Sequence, residues 1–228
     1  MDYNFMLKRT IINTLEGTKT IQIPEWNETY HSRHGILQEA QHVFISNGLE
    51  KVNVPVISIL EMGFGTGLNA LLTLYEALEK SMKISYYTLE KYPLIMDEIN
   101  QLQYGSILNS EKTEEYYRLL HEAEWGVNTH LCENFSIIKY QTDFKNLKDL
   151  PISNINLVYY DAFGARVQPE LWEVNIFKSI YDTMTSGGLL TTYSSKGSAR
   201  RAMQSVGFEV EKLIGPKGKR EMVNAWKR

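Results

Sequence analysis

The chain has 228 residues, a formal net charge of −3 and one cysteine. This length fits one domain with additions, or at most two small ones, and a 43% hydrophobic content allows a substantial core. A single cysteine excludes a disulfide framework and a cysteine-based zinc site. No apolar run approaches the roughly 20 residues of a membrane span, and the N-terminus lacks the pattern of a signal peptide. The composition therefore predicts a soluble cytoplasmic protein.

Residues 1–50 are predicted to form an extension of a hairpin and a helix, packed on the core. Alternation of apolar and polar residues predicts strands at 9–14 and 18–23, and Pro24 ends the second. Apolar residues at helical spacing predict a helix over 35–47, with Gly48 as its C-cap.

Residues 51–228 alternate strands with helices, which predicts an α/β fold with a mostly parallel sheet covered by helices on both faces. A helical insertion is expected at about 93–128, and one or two strands at the C-terminus. The predicted strands are 57–60, 83–89, 135–142, 155–160 and 189–193, and the predicted helices outside the insertion are 69–80, 173–184 and 198–206.

A glycine-rich loop joins the first core strand to its helix, where residues 58–67 read SILEMGFGTG. Glycine is disfavoured inside regular elements, so three of them after Glu61 predict a ligand lying against the backbone, with a ligand-free turn as the alternative. Leu68 occupies the position of the third glycine in the dinucleotide fingerprint, which disfavours a nicotinamide oxidoreductase. The loop resembles the acid-x-Gly-x-Gly-x-Gly motif of Rossmann-like S-adenosylmethionine-dependent methyltransferases.

Three further acids follow predicted strands, at the strand ends where open α/β sheets bind ligands. Glu90 could accept both ribose hydroxyls of an adenosine, Asp143 could take the adenine amino group, and Asp161 would face the reacting methyl. A single acid at a strand end is commonly a helix N-cap, but four in order favour a ligand site.

Charge is distributed unevenly, because the segment from Lys196 onward carries nine basic and three acidic residues. This indicates a basic face that meets an anion, with scattered solvated lysines as the alternative.

Cys132 lacks the motif of a methyltransferase nucleophile and is expected to be a buried structural thiol. His31 and His34 have no acid at ligand spacing, so a surface or capping role is expected rather than metal binding.

Residues 161–172 read DAFGARVQPELW, which resembles the Asp-Gly/Ala-Phe-Ala-Pro-x-Lys-x-Pro-Glu/Asp-x-Trp signature of one methyltransferase family. That family comprises the methyltransferase domain of the bifunctional tRNA wobble-uridine modification protein MnmC and its stand-alone relatives. Residues 61–69, 90–94, 192–208 and 218–222 also resemble family segments, and the likeness runs from about 30 to 225. Ala165 and Val167 replace the family's proline and lysine.

The resemblance implies N-methylation of the 5-aminomethyl group of (2-thio)uridine at the tRNA wobble position. It implies S-adenosylmethionine as cofactor and tRNA as partner, with no metal, no membrane and no obligate protein partner. FAD chemistry is not expected, because the chain ends where the FAD-dependent domain of the bifunctional protein would begin.

The same resemblance and the strand-end pattern give the candidate site. Asp161 is the catalytic candidate, and Tyr30, His31 and Arg33 lie where the family has residues near the cofactor. The expected cofactor-binding residues are Glu61, Gly63, Phe64, Gly65, Gly67, Asn69, Glu90, Lys91, Asp143 and Asp161. The expected substrate contacts are Phe163 and Trp172, at the base, and Lys196, Arg200, Arg201, Lys219 and Arg220, at tRNA phosphates.

Two other functions are compatible with the sequence. A small-molecule amine or hydroxyl methyltransferase would have no affinity for tRNA, and the basic C-terminal segment disfavours it. A non-catalytic S-adenosylmethionine- or tRNA-binding protein is compatible with the altered loop at Ala165 and Val167.

Overall fold

The computed structural model describes residues 8–32, 35–108 and 111–228. Eleven strands are found in this part of the chain, and they form two sheets. The strands are β1 (Thr10–Asn13), β2 (Lys19–Ile23), β3 (Glu28–Thr29), β4 (Val56–Met62), β5 (Lys83–Leu89), β6 (Thr129–Cys132), β7 (Phe135–Tyr140), β8 (Ile155–Tyr160), β9 (Met184–Thr192), β10 (Glu209–Ile214) and β11 (Glu221–Trp226).

The large sheet has the order β10-β11-β9-β8-β4-β5-β7-β6. Its five central strands, from β9 to β7, run parallel, while β6 and the β10–β11 pair are antiparallel edges. Because parallel strands end at the same edge, the residues that follow β4, β5, β7 and β8 meet there. The predicted α/β fold with a parallel centre is confirmed. The small sheet, β1-β2-β3, is antiparallel and contains the predicted hairpin.

Helices cover both faces of the large sheet. They are α1 (Ile36–Ala40), α2 (Leu68–Glu79), α3 (Met96–Leu102), α4 (Glu111–Glu122), α5 (Val174–Thr183) and α6 (Gly197–Ser205). Alternate residues of β4 show the two faces, because Ile57 and Ile59 pack with α1, α2 and α4, whereas Leu60 and Met62 pack with α5 and α6. The insertion expected at about 93–128 contains α3 and α4.

The structure differs from the sequence predictions at four places. The edge strand β6 was not predicted, and β9 begins at Met184 rather than at residue 189, with a register irregularity against β8. Helix α1 continues as a π-helical stretch over Gln41–Ser46. Gly48 is not a left-handed C-cap, since its φ is −116°; a Cβ there would lie 2.3 Å from the Phe44 carbonyl oxygen, so close packing requires the glycine.

No helix in the described ranges combines the length and the apolar character that crossing a membrane would need.

Candidate functional site

The glycine loop after β4 is held in a conformation that side chains rarely adopt. Gly63, Gly65 and Gly67 have φ values of +103°, +50° and +74°. A Cβ on Gly63 would lie 2.9 Å from the Asp161 carbonyl oxygen, and one on Gly67 would lie 2.8 Å from His121 Nε2. The loop therefore needs glycine for both its backbone conformation and its close contacts.

Glu61 is a fully buried carboxylate near the end of β4. Thr88, its register partner on β5, donates a hydrogen bond to Glu61 Oε2 at 3.0 Å. Glu61 Oε1 makes no hydrogen bond of standard geometry with the described residues, although the Asn69 amide and the Tyr86 hydroxyl lie near enough to lower the pKa of Glu61. Burial, together with the charge of nearby Asp161, raises the pKa of Glu61 well above its usual range. The site thus holds a buried acceptor that a cationic donor would satisfy.

Asp161 follows β8 directly and lies beside the glycine loop. Its amide donates to the Met62 carbonyl at 3.1 Å, and its Oδ2 accepts a hydrogen bond from Asn69 Nδ2 at 2.9 Å. Burial raises the pKa of Asp161 to about 7, although the Asn69 hydrogen bond opposes this rise. A carboxyl with this pKa can exchange a proton near neutral pH.

Glu90 lies at the end of β5 and fixes the loop from the side. Its carboxylate accepts hydrogen bonds from the amides of Gly65 at 3.1 Å and Tyr92 at 2.8 Å. Burial raises the pKa of Glu90 above its ordinary value. Since each carboxylate oxygen has two acceptor sites, these two bonds leave Glu90 able to accept further donors.

Asp143 has a local role that the sequence left open. It is the N-cap of a short 3-10 helix and accepts a hydrogen bond from the Lys145 amide at 3.0 Å. Lys91 Nζ lies 2.9 Å from Asp143 Oδ2, so the lysine is directed at this acid. Burial raises the pKa of Asp143, but the Lys145 amide and Lys91 outweigh it and the net shift is downward.

The segment 26–32, before α1, packs on the glycine loop. A Cβ built on Gly65 would lie 3.3 Å from the ring of Tyr30, and His31 Nε2 lies 2.6 Å from Thr66 Oγ1. Burial raises the pKa of Tyr30 to about 12, and burial lowers that of His31 to about 4. Both are therefore neutral near pH 7. Arg33 and His34 lie outside the described residues.

Phe163 is partly exposed, whereas Trp172 is in the core. Trp172 is 4% exposed and packs edge-on against Tyr160, at 5.0 Å between ring centroids. Its Nε1 donates to the Phe163 carbonyl at 2.8 Å. This burial favours a supporting role for Trp172 beneath the loop over the direct contact with a base that the sequence suggested.

The basic residues predicted to contact phosphates fall into two environments. Lys219 forms an ion pair with Glu39 of α1, and its Nζ lies 3.9 Å from the ring centroid of Tyr193. Its charge also lowers the pKa of Asp161, against the larger effect of burial. Lys219 therefore lies close enough to Asp161 for its charge to influence the protonation of this carboxyl. Arg200 is half-buried, while Lys196, Arg201 and Arg220 are exposed.

The sequence analysis did not identify the side chains of α4 that form hydrogen bonds with the backbone of the glycine loop. Tyr117 and His121 of α4 both reach the Thr66 carbonyl oxygen, at 3.0 and 3.1 Å. Lys139 is 1% exposed and donates at 2.8 Å to the carbonyls of Leu120 and His121, the last turn of the same helix. Burial lowers the pKa of Lys139 to about 8. A lysine in a strand is usually expected to be exposed. The signal that could have indicated its burial is the alternation of side chains along β7, which places Lys139 on the same face as Phe135 and Ile137.

Two further expectations concern nucleophiles and metals. Cys132 lies partly buried on the edge strand β6. Within the described ranges, no group of three or more His, Cys, Asp or Glu side chains is arranged to hold a metal ion.

Comparisons with known proteins agree with this geometry. A family model described as S-adenosyl-L-methionine-dependent methyltransferase matches residues 116–228. The bifunctional tRNA 5-methylaminomethyl-2-thiouridine biosynthesis protein MnmC of Idiomarina loihiensis is 29% identical over 87% of this chain and 35% of its own length. The same protein of Paraburkholderia xenovorans is also 29% identical, over 88% of this chain and 32% of its own. The chain thus spans about a third of the length of these relatives.

A solved structure supports the same relationship. The crystal structure of MNMC2 from Aquifex aeolicus superposes with a TM-score of 0.80 and 25% identity, covering 99% of this chain and 72% of that one. These similarities support an S-adenosylmethionine-dependent methyltransferase that is similar to the methyltransferase part of the MnmC proteins.

Proposed function

We propose that this methyltransferase acts on the primary amine of 5-aminomethyl-(2-thio)uridine at the wobble position of tRNA. The carrying observation is Asp161, a carboxyl with a pKa of about 7 that lies against the glycine loop and opens the segment 161–172. The names of the MnmC relatives specify synthesis of tRNA 5-methylaminomethyl-2-thiouridine. Their similarity covers about a third of their length, so the substrate is inferred.

The residues around the glycine loop fit S-adenosylmethionine. Glu61 Oε1 and Asn69 Oδ1 are buried acceptors that make no hydrogen bond of standard geometry with the described residues, and the ammonium group of the cofactor would satisfy the first. Glu90 retains acceptor capacity for ribose hydroxyls. Gly63, Gly65 and Phe64 would line the cofactor's path. Lys91 and Asp143, which pair with each other, would border the adenine.

Bound S-adenosylmethionine supplies an electrophilic methyl group on a sulfonium. The acceptor amine must be neutral to react, because an ammonium ion has no lone pair. Asp161 would receive the amine's proton and orient its nitrogen, while Asn69 holds the carboxylate in place. Holding the reacting atoms in line can lower the activation free energy by roughly 7–11 kcal/mol, so positioning is the main task of the protein.

The exposed basic residues of the C-terminal segment would contact the RNA backbone. Lys196, Arg201 and Arg220 are exposed and available to phosphates. Each phosphate contact adds roughly 0.7–0.9 to the slope of log affinity against log salt. Binding of tRNA should therefore weaken steeply with salt, and a flat dependence would remove this assignment.

The decisive experiment incubates tRNA that lacks the methyl group with the protein and S-adenosylmethionine, followed by mass spectrometry of the nucleosides. We expect 5-aminomethyl-2-thiouridine to be converted to its N-methyl derivative, and Asp161→Asn to abolish most of the conversion. Transfer to a free aminomethyl nucleoside but not to tRNA would instead favour a small-molecule enzyme. The ion pair between Lys219 and Glu39 is an observation in favour of this alternative, because it makes Lys219 less available to a tRNA phosphate. Binding of cofactor and tRNA without transfer would indicate a non-catalytic protein.

A further inference from the structure

Three aromatic side chains from two distant parts of the sequence meet at the loop that follows Asp161. The ring of Phe163 makes edge-to-face contacts with Trp26, at 5.3 Å between centroids, and with Tyr30, at 5.1 Å. All three residues are only partly buried. The perpendicular contacts hold the three rings together, and each ring keeps part of its surface exposed, so the cluster can receive another planar group.

The backbone beneath Phe163 is held by the core. Tyr193 donates its hydroxyl to the Ala162 carbonyl at 2.8 Å, and Trp172 donates its indole N–H to the Phe163 carbonyl at 2.8 Å. Two aromatic donors therefore hold the backbone at residues 162 and 163, while the Phe163 ring contacts Trp26 and Tyr30. Phe163 follows Asp161 by two residues, so the cluster adjoins the candidate catalytic carboxyl.

Arg166 ties Trp26 to this loop. Its guanidinium donates to the Trp26 carbonyl oxygen at 2.6 Å and to Glu28 Oε1 at 2.8 Å. The Arg166 side chain is 62% exposed, so the ion pair itself adds little stability. The two hydrogen bonds do fix the orientation of the guanidinium group, however. They also join the loop that contains Arg166 to the segment that contains Trp26 and Glu28, about 140 residues earlier in the chain.

We propose that Trp26, with Phe163, forms a stacking platform for the target base, and that Arg166 is the positioning residue that holds Trp26 there. The inference rests on the proposed function and names two further specificity-determining residues for it. The ligand class is a planar nucleobase extruded from an RNA loop, because a partly exposed aromatic pair binds a base through its π-face. The donor of the methyl group would not touch Trp26.

The test measures kcat and KM for an anticodon stem-loop RNA that carries the aminomethyl group, and separately the Kd for S-adenosylmethionine. We expect Trp26→Ala to lower kcat/KM for the RNA by roughly 5- to 150-fold, the range of one lost base stack, mostly through KM. The Kd for S-adenosylmethionine should stay within about twofold, and Trp26→Phe should restore most of the activity.

Arg166→Gln and Glu28→Gln test the positioning role. Each should raise the KM for the RNA to a similar, smaller extent, and the double variant should be no worse than either alone because the two groups act together. Arg118→Gln, which breaks the exposed Arg118–Glu122 pair on α4, is the matched control and should have no effect.

The outcomes separate the two proposals. An inactive wild-type protein overturns the proposed function and the platform with it. An active wild type whose Trp26→Ala variant keeps its kcat/KM, or loses affinity for S-adenosylmethionine in the same proportion, overturns the platform alone.

Discussion

The two sides of the candidate site are built in different ways. The floor consists of the glycine loop 63–67 and the acids Glu61, Glu90 and Asp161, at the ends of parallel strands. The cover consists of residues 26–31, the segment 163–166 and Lys219. The floor depends on glycine conformations and on one buried and two half-buried carboxyl groups, whereas the cover depends on partly exposed rings and ion pairs. Substitutions of the glycines in the floor should therefore affect folding and cofactor binding, substitution of Asp161 should affect turnover, and substitutions in the cover should affect substrate use.

The largest effect is expected from Gly63→Ala in the floor. The added Cβ would lie 2.9 Å from the Asp161 carbonyl in a left-handed backbone, so stability should fall by about 2–4 kcal/mol and affinity for S-adenosylmethionine should be lost. Gly126→Ala is the control, because Gly126 has φ +79° but open space around it, and it should cost only about 1 kcal/mol. Denaturant unfolding and calorimetry measure both. Equal losses in the two variants would contradict the close-packed floor.

Asp161→Asn should lower turnover by about 10²- to 10⁴-fold, with S-adenosylmethionine still bound. In the wild type, the rate should rise with pH through about 7 as Asp161 ionises. Initial rates from pH 5 to 9 provide the measurement. A pH-independent rate would show that Asp161 does not take the proton.

The same substitution should stabilise the fold. The pKa of Asp161 is raised from 3.8 to about 7 on folding, so its stabilising contribution is complete below about pH 4 and lost as the pH rises through 7. The advantage of Asp161→Asn should therefore grow from pH 4 to pH 7 and then level, at about 1–3 kcal/mol. Unfolding at pH 4.5 and pH 8 checks this, and an advantage that shrinks with pH would refute the raised pKa.

Lys219→Met tests the electrostatic effect of a residue of the cover, Lys219, on a residue of the floor, Asp161. Because the Lys219 charge lowers the pKa of Asp161, its loss should move the acid limb of the rate profile to higher pH. Lys217→Met is the matched control, since Lys217 is exposed two residues earlier, and it should leave the profile unchanged. If both variants change only the salt dependence of tRNA binding, Lys219 is an ordinary phosphate contact.

The smallest effect is expected from Arg201→Gln, at an exposed position of α6. It should weaken tRNA binding modestly and reduce the salt slope by about 1, without changing kcat. Filter binding at several salt concentrations measures the slope. Lys178→Gln on α5, an exposed cation outside the basic segment, should leave the slope unchanged.

Local pattern accounts for the elements that the sequence predicted well. The strands 83–89 and 155–160 have the predicted bounds, because runs of β-branched and aromatic residues between turns define them. Strand β6 was missed, since its four residues pair only with β7 at an edge and have little apolar pattern. The π-helical continuation of α1 was missed for a similar reason, because helical spacing does not distinguish it from an α-helix.

By itself, the sequence determined the parallel core, the glycine loop and the acids that follow its strands, because each is encoded within a few consecutive residues. Only the tertiary structure decided which side chains pair across the site. Lys219 meets Glu39 across 180 residues, and Arg166 meets Glu28 across 138. Ion pairs and ring contacts depend on where the chain returns in space, and no local periodicity records that. The floor could thus be predicted from the sequence, whereas the cover required the fold.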